Sequence, residues 1–202
     1  TTATDENGAF SFGSVELNGG EYLLIYANDG SYKANLVGIV QSAGDISGLE
    51  LQDGRLSIGD ADGVVGTSFT NADLASAYYN NTNVYYSVIG NDVTFANSLG
   101  NSIDVYVPSG IAYAPGGSVT GDGFLANYGT LSNGVFNMVL SNNGTVSGGI
   151  FNGLAINGEF IQGASIIDGE FNNEVQNYGG SSITGGSFLN LVDNYQDASI
   201  DG

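Results

Sequence analysis

Residues 142–151 read NNGTVSGGIF, and variants of this phrase recur through the second half of the chain. Each variant has an Asn- or Gly-rich turn, an aliphatic residue, a small pair that ends in Gly, and then Phe. Further copies occupy residues 117–124, 127–136, 163–171 and 177–188, and a last one begins at residue 194. The aliphatic position is filled by Val119, Leu131, Val146, Ile166, Ile183 and Ile200.

A repeat this short, with strand-forming residues and Gly at its corners, predicts a β-solenoid. One coil has two or three short strands and cannot bury its apolar face alone, so stacked coils must bury one another. We therefore expect the recurring Phe residues to form one inward row, in which each ring contributes about 2–3 kcal/mol. The steps between the aliphatic positions are uneven, which predicts loops that bulge from some coils.

Composition supports an all-β protein. The chain has 202 residues with 42% hydrophobic residues, 12 Tyr and 10 Phe, whereas disordered segments lack aromatic and β-branched residues. We expect a partial β-sandwich-like portion at residues 1–37 that leads into a Gly/Asn-rich parallel β-solenoid at residues 114–202. Residues 38–113 form a β-rich middle segment that could include early coils, and residues 71–79 could form one short helical turn.

The charge balance excludes several classes of partner. Asp and Glu number 21 against Lys33 and Arg55 alone, which gives a net charge of −19. Nucleic acid binding is disfavoured because the phosphates need several Lys or Arg residues for neutralisation. No apolar run reaches the roughly 18–20 residues that span a membrane, and the chain opens on polar residues without a signal peptide. The absence of Cys excludes disulfides.

The N-terminal residues carry a family resemblance. Residues 4–12 read TDENGAFSF, residues 19–27 read GGEYLLIYA, and residues 29–32 read DGSY. This pattern resembles the second half of a carboxypeptidase-regulatory-like (transthyretin-like) β-sandwich module, and the C-terminal repeats look like a β-solenoid of bacterial or archaeal surface proteins. The first resemblance implies a small structural module without catalytic residues.

That family begins with further strands that would precede Thr1. A sandwich without them exposes an edge that a foreign strand can fill. The last residues, 199–202, are a candidate donor strand, so head-to-tail assembly by strand exchange is one hypothesis and a simply shortened chain is the other.

Two carboxylates form a candidate calcium site. Asp60 and Asp62 are spaced by one residue before a Gly turn, and calcium prefers hard oxygen ligands. The segment is not an EF-hand, because Asn71 stands where the closing Glu is expected. An ordinary Asx-type turn is the alternative interpretation.

Four tyrosines form a candidate site for stacking on sugars: Tyr78, Tyr79, Tyr85 and Tyr86. An aromatic face suits the apolar face of a pyranose ring. The alternative is that these tyrosines occupy half-buried sheet positions, where Tyr is a favoured residue.

Asn80 and Asn143 are candidate glycosylation sites, because they begin the N-glycosylation sequons NNT and NGT. Asn is abundant at the repeat corners, where its tolerance of left-handed backbone and its capacity to form side-chain ladders explain it equally well.

The residue types argue against an enzyme. Without His or Cys, Ser-His-Asp and Cys-His catalysis and ordinary zinc sites are excluded. A carboxylate pair acting on a glycosidic bond, or a calcium-assisted lyase, is what remains. The acids Glu159, Asp168 and Glu170 lie near repeat corners, where solvated side chains are expected.

The sequence as a whole favours an extracellular structural protein: a subunit of a cell-surface filament or layer, or a stalk segment of a large adhesin, with other copies of itself as the main partner. Scarcity of Lys and Arg would also deny cleavage sites to trypsin-like proteases. The alternative is a solenoid that binds or cleaves a surface polysaccharide.

Overall fold

The computed structural model describes residues 9–12, 16–27, 33–42, 46, 49–60, 66–96 and 103–201. The chain is 47% strand and 4% helix, and its strands stack as coils of a parallel β-solenoid, which confirms the predicted fold class. The solenoid has about eight turns. Part of the N-terminal resemblance (residues 4–8 and 29–32) lies outside the described residues, as does Asp62 of the candidate calcium site.

The regular elements have these bounds. As far as residue 113 they are β1 (Tyr22–Tyr26), β2 (Ala34–Ile39), β3 (Arg55–Ile58), β4 (Ser68–Phe69), α1 (Asn71–Ala77), β5 (Tyr86–Ile89), β6 (Asp92–Phe95), β7 (Asp104–Val107) and β8 (Ala112–Tyr113). From residue 118 they are β9 (Ser118–Asn127), β10 (Thr130–Leu131), β11 (Val135–Asn142), β12 (Thr145–Phe151), β13 (Ala155–Asn157), β14 (Ser165–Phe171), β15 (Val175–Asn177), β16 (Ser182–Ile183), β17 (Ser187–Phe188), β18 (Val192–Asn194) and β19 (Ser199–Ile200).

Three parallel ladders form the faces of the stack. Face A runs through β4, β8, β10, β12, β14, β16 and β19. Face B runs through β6, β9, β11, β12, β14 and β17. Face C runs through β2, β3, β7, β9, β11, β13, β15 and β18. The parallel stacking therefore starts at β2 and continues through the middle segment into the C-terminal repeats.

Face A carries the predicted aliphatic row, and face B carries the phenylalanines. Phe136, Phe151, Phe171 and Phe188 stack with ring centroids 4.7, 4.8 and 5.1 Å apart and ring planes within 10°. A Gly lies two residues before each of these phenylalanines. At Gly149 the reason is geometric, because φ is +111° and a Cβ would lie 3.0 Å from the ring of Phe136. The repeated small pair thus turns the corner and leaves room for the ring.

The prediction is wrong for the first copy of the repeat, residues 117–124. Val119 pairs with Phe136 on face B rather than standing in the aliphatic row, and Tyr113 takes that place on face A. Phe124 is 48% exposed and pairs with Val139, so it is not part of the inward row. The physical reason is a register shift in this coil. Extra residues between faces B and C place Phe124 five positions after Val119, and five positions is also the step from face A to face B in later coils.

A buried ladder of Asn side chains closes the corner after face C. Each Asn donates its side-chain N–H to the side-chain oxygen of the next, over 2.6, 2.7, 2.8 and 2.7 Å. A second bond from the same nitrogen reaches a face-A carbonyl, as from Asn127 to Thr145 over 3.2 Å. These bonds satisfy amides that would otherwise be buried without partners. The ladder consists of Asn127, Asn142, Asn157, Asn177 and Asn194.

Coil length varies at this same corner. Successive ladder residues are 15, 15, 20 and 17 positions apart. The step from the Asn to the next face-A residue is four positions from Asn142 to Val146 but nine from Asn157 to Ile166, whereas the step from face A to face B stays at five, as from Val146 to Phe151. From Asn127 onward, the predicted bulges therefore share one edge of the stack.

An insertion interrupts the first coil between faces A and B. Its helix α1 begins with a capping box in which Thr70 and Asp73 bond reciprocally to each other's backbone N–H. Leu74 and Ala77 are buried against the core, and α1 packs on β1, β2, β5 and β6. The helix therefore lies against the first rungs of the stack. Within the described residues, no helix is long and apolar enough to cross a membrane.

Candidate functional site

The four predicted tyrosines do not form one exposed platform. Tyr85 and Tyr86 are 4% and 2% exposed, Tyr78 is half-buried, and Tyr79 is 60% exposed. The Tyr86 hydroxyl donates to the backbone oxygen of Leu74 over 3.0 Å, and burial raises the pKa of this phenol well above its usual range. Tyr86 therefore belongs to the core, as does Tyr85, and only Tyr78 and Tyr79 reach the surface.

The Tyr78 side borders an open groove. Its floor is made of Val84, Tyr86 and Ala96, and Tyr78 meets the ring of Tyr86 edge-on with centroids 5.5 Å apart. Its rim is polar and consists of Asn80, Asn81, Thr82 and Ser87.

The polar part of this groove was not predicted from the sequence. The signal was available, because residues 80–83 read NNTN directly after the short helix. The folding of β5 onto β6, which brings Ser87 to the rim, was not evident from the sequence.

The candidate calcium ligands are only partly placed. Asp60 follows β3 at 8% exposure and lines a small cavity with Glu50 and Gln52, whereas its proposed co-ligand, Asp62, lies outside the described residues. Across the part of the chain that the structure describes, no group of three or more acidic side chains converges on one point. The calcium site stays a prediction.

The two sequons lie in different environments. Asn80 is exposed in the loop after α1, whereas Asn143 is 8% exposed. The Asn143 side chain donates to Ser141 Oγ over 3.4 Å and accepts from the Phe160 backbone N–H over 3.2 Å. Of the two, only Asn80 presents a side chain that a glycosylating enzyme can reach in the folded protein.

The three acids near the repeat corners are exposed, as expected of solvated side chains. These are Glu159, Asp168 and Glu170. Asp168 accepts the N–H of the next residue over 2.8 Å, which is an ordinary use of Asp at a turn.

The last described coil is the second feature that could carry function. Ile183 is 2% exposed beneath it, but the equivalent Ile200 is 48% exposed. Leu189, Leu191 and Tyr195 are 69%, 56% and 42% exposed. Strands β17, β18 and β19 each pair on one side only within the described residues, so a row of backbone donors and acceptors faces outward beside these apolar side chains.

The two ends of the stack therefore differ within the described residues. Leu74 and Ala77 of α1 bury part of the first rungs, whereas the last rung of face A leaves Ile200 exposed at a position that the preceding coils bury. Repeat proteins need a covering element over such a face to remain soluble on their own.

No protein-family model, curated protein or solved structure matches this chain. The resemblance of the N-terminal residues to a carboxypeptidase-regulatory-like module therefore remains an expectation from the sequence.

Proposed function

We propose that the chain is an extracellular structural protein, either a subunit of a cell-surface filament or layer that assembles by strand complementation, or a stalk segment of a large adhesin. One observation carries the proposal: the last coil offers unpaired strand edges and leaves Ile200, the end of the inward aliphatic row, exposed together with Leu189 and Leu191. An edge of this kind pairs with another strand. In a filament the strand comes from a second copy, and in a stalk from adjoining coils.

The architecture also suits a load-bearing rod. The coils of the C-terminal repeats are tied to one another by backbone hydrogen bonds on three faces, and by the Asn and Phe ladders inside. A head-to-tail contact between unlike ends does not close on itself and therefore grows into a fibre. The net charge of −19 opposes self-association at low salt, because the screening length is about 30 Å at 0.01 M salt and shortens to about 8 Å at 0.15 M.

Electron microscopy with negative stain tests the proposal. We expect regular filaments in millimolar calcium or in 150 mM salt, and fewer at low ionic strength. Deletion of residues 196–202, which removes β19, should abolish assembly.

Ile200→Asp should weaken assembly strongly because it places a carboxylate at the contact. Its matched control is Ile167→Asp, since Ile167 is 52% exposed on an interior coil. Single particles in every condition would contradict the filament and leave the stalk. Equal assembly of both variants would contradict the end-to-end contact itself.

A further inference from the structure

We infer that the groove beside Tyr78 binds a neutral saccharide. The groove lies on the helix–hairpin insertion, which departs from the repeating coil and is held by α1, β5 and β6. Loops on a rigid scaffold are where binding residues concentrate. The inference does not rest on the proposed assembly, because the groove is at the first coil and the open edge is at the last.

The lining has the mixture of surfaces that a sugar ring requires. Val84 and the ring of Tyr86 give an apolar floor, and the half-buried ring of Tyr78 stands at its side. The Tyr86 hydroxyl is fixed by Leu74, and Tyr78 packs on Tyr86, so the aromatic wall is formed before a ligand arrives. The groove has a volume of about 300 Å³ and opens to solvent. That size is at the lower end of the range for small-molecule sites.

The polar rim offers hydrogen bonds that the protein does not use. The side chains of Asn80 and Ser87 and the hydroxyl of Tyr78 form no hydrogen bond within the part of the chain that the structure describes. Asn81 is different, because its side-chain oxygen accepts the Asn83 N–H over 2.9 Å and its amide nitrogen is directed by that turn. Amide donors and hydroxyls arranged around an aromatic wall suit the alternating hydroxyl and C–H surfaces of a pyranose.

Charge decides which saccharides fit. None of the residues that line the groove is charged, although the chain carries 21 acidic residues. An anionic ligand such as a uronate would find no cation in the groove and would meet a field of net charge −19. A cationic ligand would find no carboxylate. A neutral hexose or N-acetylhexosamine unit is therefore the class of ligand that the groove selects.

Titration by NMR tests the inference on protein made in a host that does not glycosylate Asn80. The probes are neutral hexose and N-acetylhexosamine oligomers, with uronate oligomers of equal length for comparison. We expect amide shifts confined to residues 78–87 and 96, with uronates at least about tenfold weaker. Asn80→Ala and Ser87→Ala should each weaken binding about three- to tenfold, the effect of one lost hydrogen bond. Both side chains are exposed, so the fold should be unchanged.

Two matched controls separate the groove from other tyrosines. Tyr79→Ala and Tyr195→Ala remove exposed rings outside the groove and should leave affinity unchanged. No shift with any neutral oligomer at 10 mM would overturn the inference, as would shifts elsewhere, undiminished binding in the two rim variants, or equal binding of uronates.

The sugar can also come from a glycan on Asn80. In that case, protein from a glycosylating host shows the groove shifts without added ligand and binds free oligomers more weakly.

Discussion

The Asn ladder makes the sharpest prediction about stability. In Asn142→Ala, the side-chain bonds from Asn127 (2.6 Å) and to Asn157 (2.7 Å) are lost, as is a 3.2 Å bond to the Ser165 carbonyl. Asn127 keeps its bond to a face-A carbonyl, but the buried oxygen of Asn157 keeps no donor within the described residues. One buried unpaired acceptor costs about 1–3 kcal/mol and each of the three lost bonds about 1 kcal/mol, so the free energy of unfolding should fall by about 4–6 kcal/mol.

Urea unfolding followed by circular dichroism measures this change. The matched control is Asn194→Ala at the exposed end of the same ladder, where the cost should stay below about 1 kcal/mol because water replaces the lost partner. Hydrogen exchange at the corners gives the local value if the stack unfolds in steps. An Asn142→Ala cost no larger than that of Asn194→Ala would refute the reasoning that the ladder stabilises the stack through buried amides.

Three further predictions concern the core. Phe151→Ala empties the middle of the ring stack and should cost about 3–5 kcal/mol in urea unfolding, against about 0.5 kcal/mol for the exposed Phe160→Ala. Gly144→Ala places a Cβ 2.2 Å from a backbone carbonyl of the neighbouring coil, so its melting temperature should fall well below that of Gly163→Ala, which has open space for the Cβ and meets only the backbone strain of φ +92°. Burial raises the pKa of Tyr86, so the unfolded chain loses this proton first as pH rises. The stability that the neutral phenol contributes is fully present below pH about 10 and is lost above it, and urea midpoints between pH 8 and 11 should fall less steeply in Tyr86→Phe.

The repeated core was readable from the sequence because it depends on local spacing. The five-residue step from an aliphatic residue to a Phe sets one corner, and it recurs at Val146 and Phe151 as at Ile166 and Phe171. That step predicted the solenoid and the inward ring row. The same spacing gave a wrong prediction at Val119 and Phe124. Residues 119–124 also contain Gly and end in Phe, but they join face B to face C rather than face A to face B.

The candidate sites were harder to predict because they depend on contacts that are distant in sequence. Tyr86 is adjacent to the exposed Ser87 in the chain, but pairing of β5 with β6 and packing under α1 bury it. Asn80 and Asn143 have equivalent sequons, yet one is exposed and the other is enclosed by the loop that carries Phe160. Sequence motifs named the residue types, and the tertiary contacts determined which of them solvent can reach.

From Asn127 onward, the coils differ in length only at the corner after face C, and this has a consequence for how such a chain can change. An insertion there leaves the cross-section of the core unchanged. Its main cost is the entropy of closing a longer loop, and this cost grows only slowly with loop length. Neighbouring coils present this corner at intervals of roughly 4.8 Å, so loops lengthened in successive coils would touch and form a joint surface. That edge is the natural place to graft a foreign peptide for display along the rod.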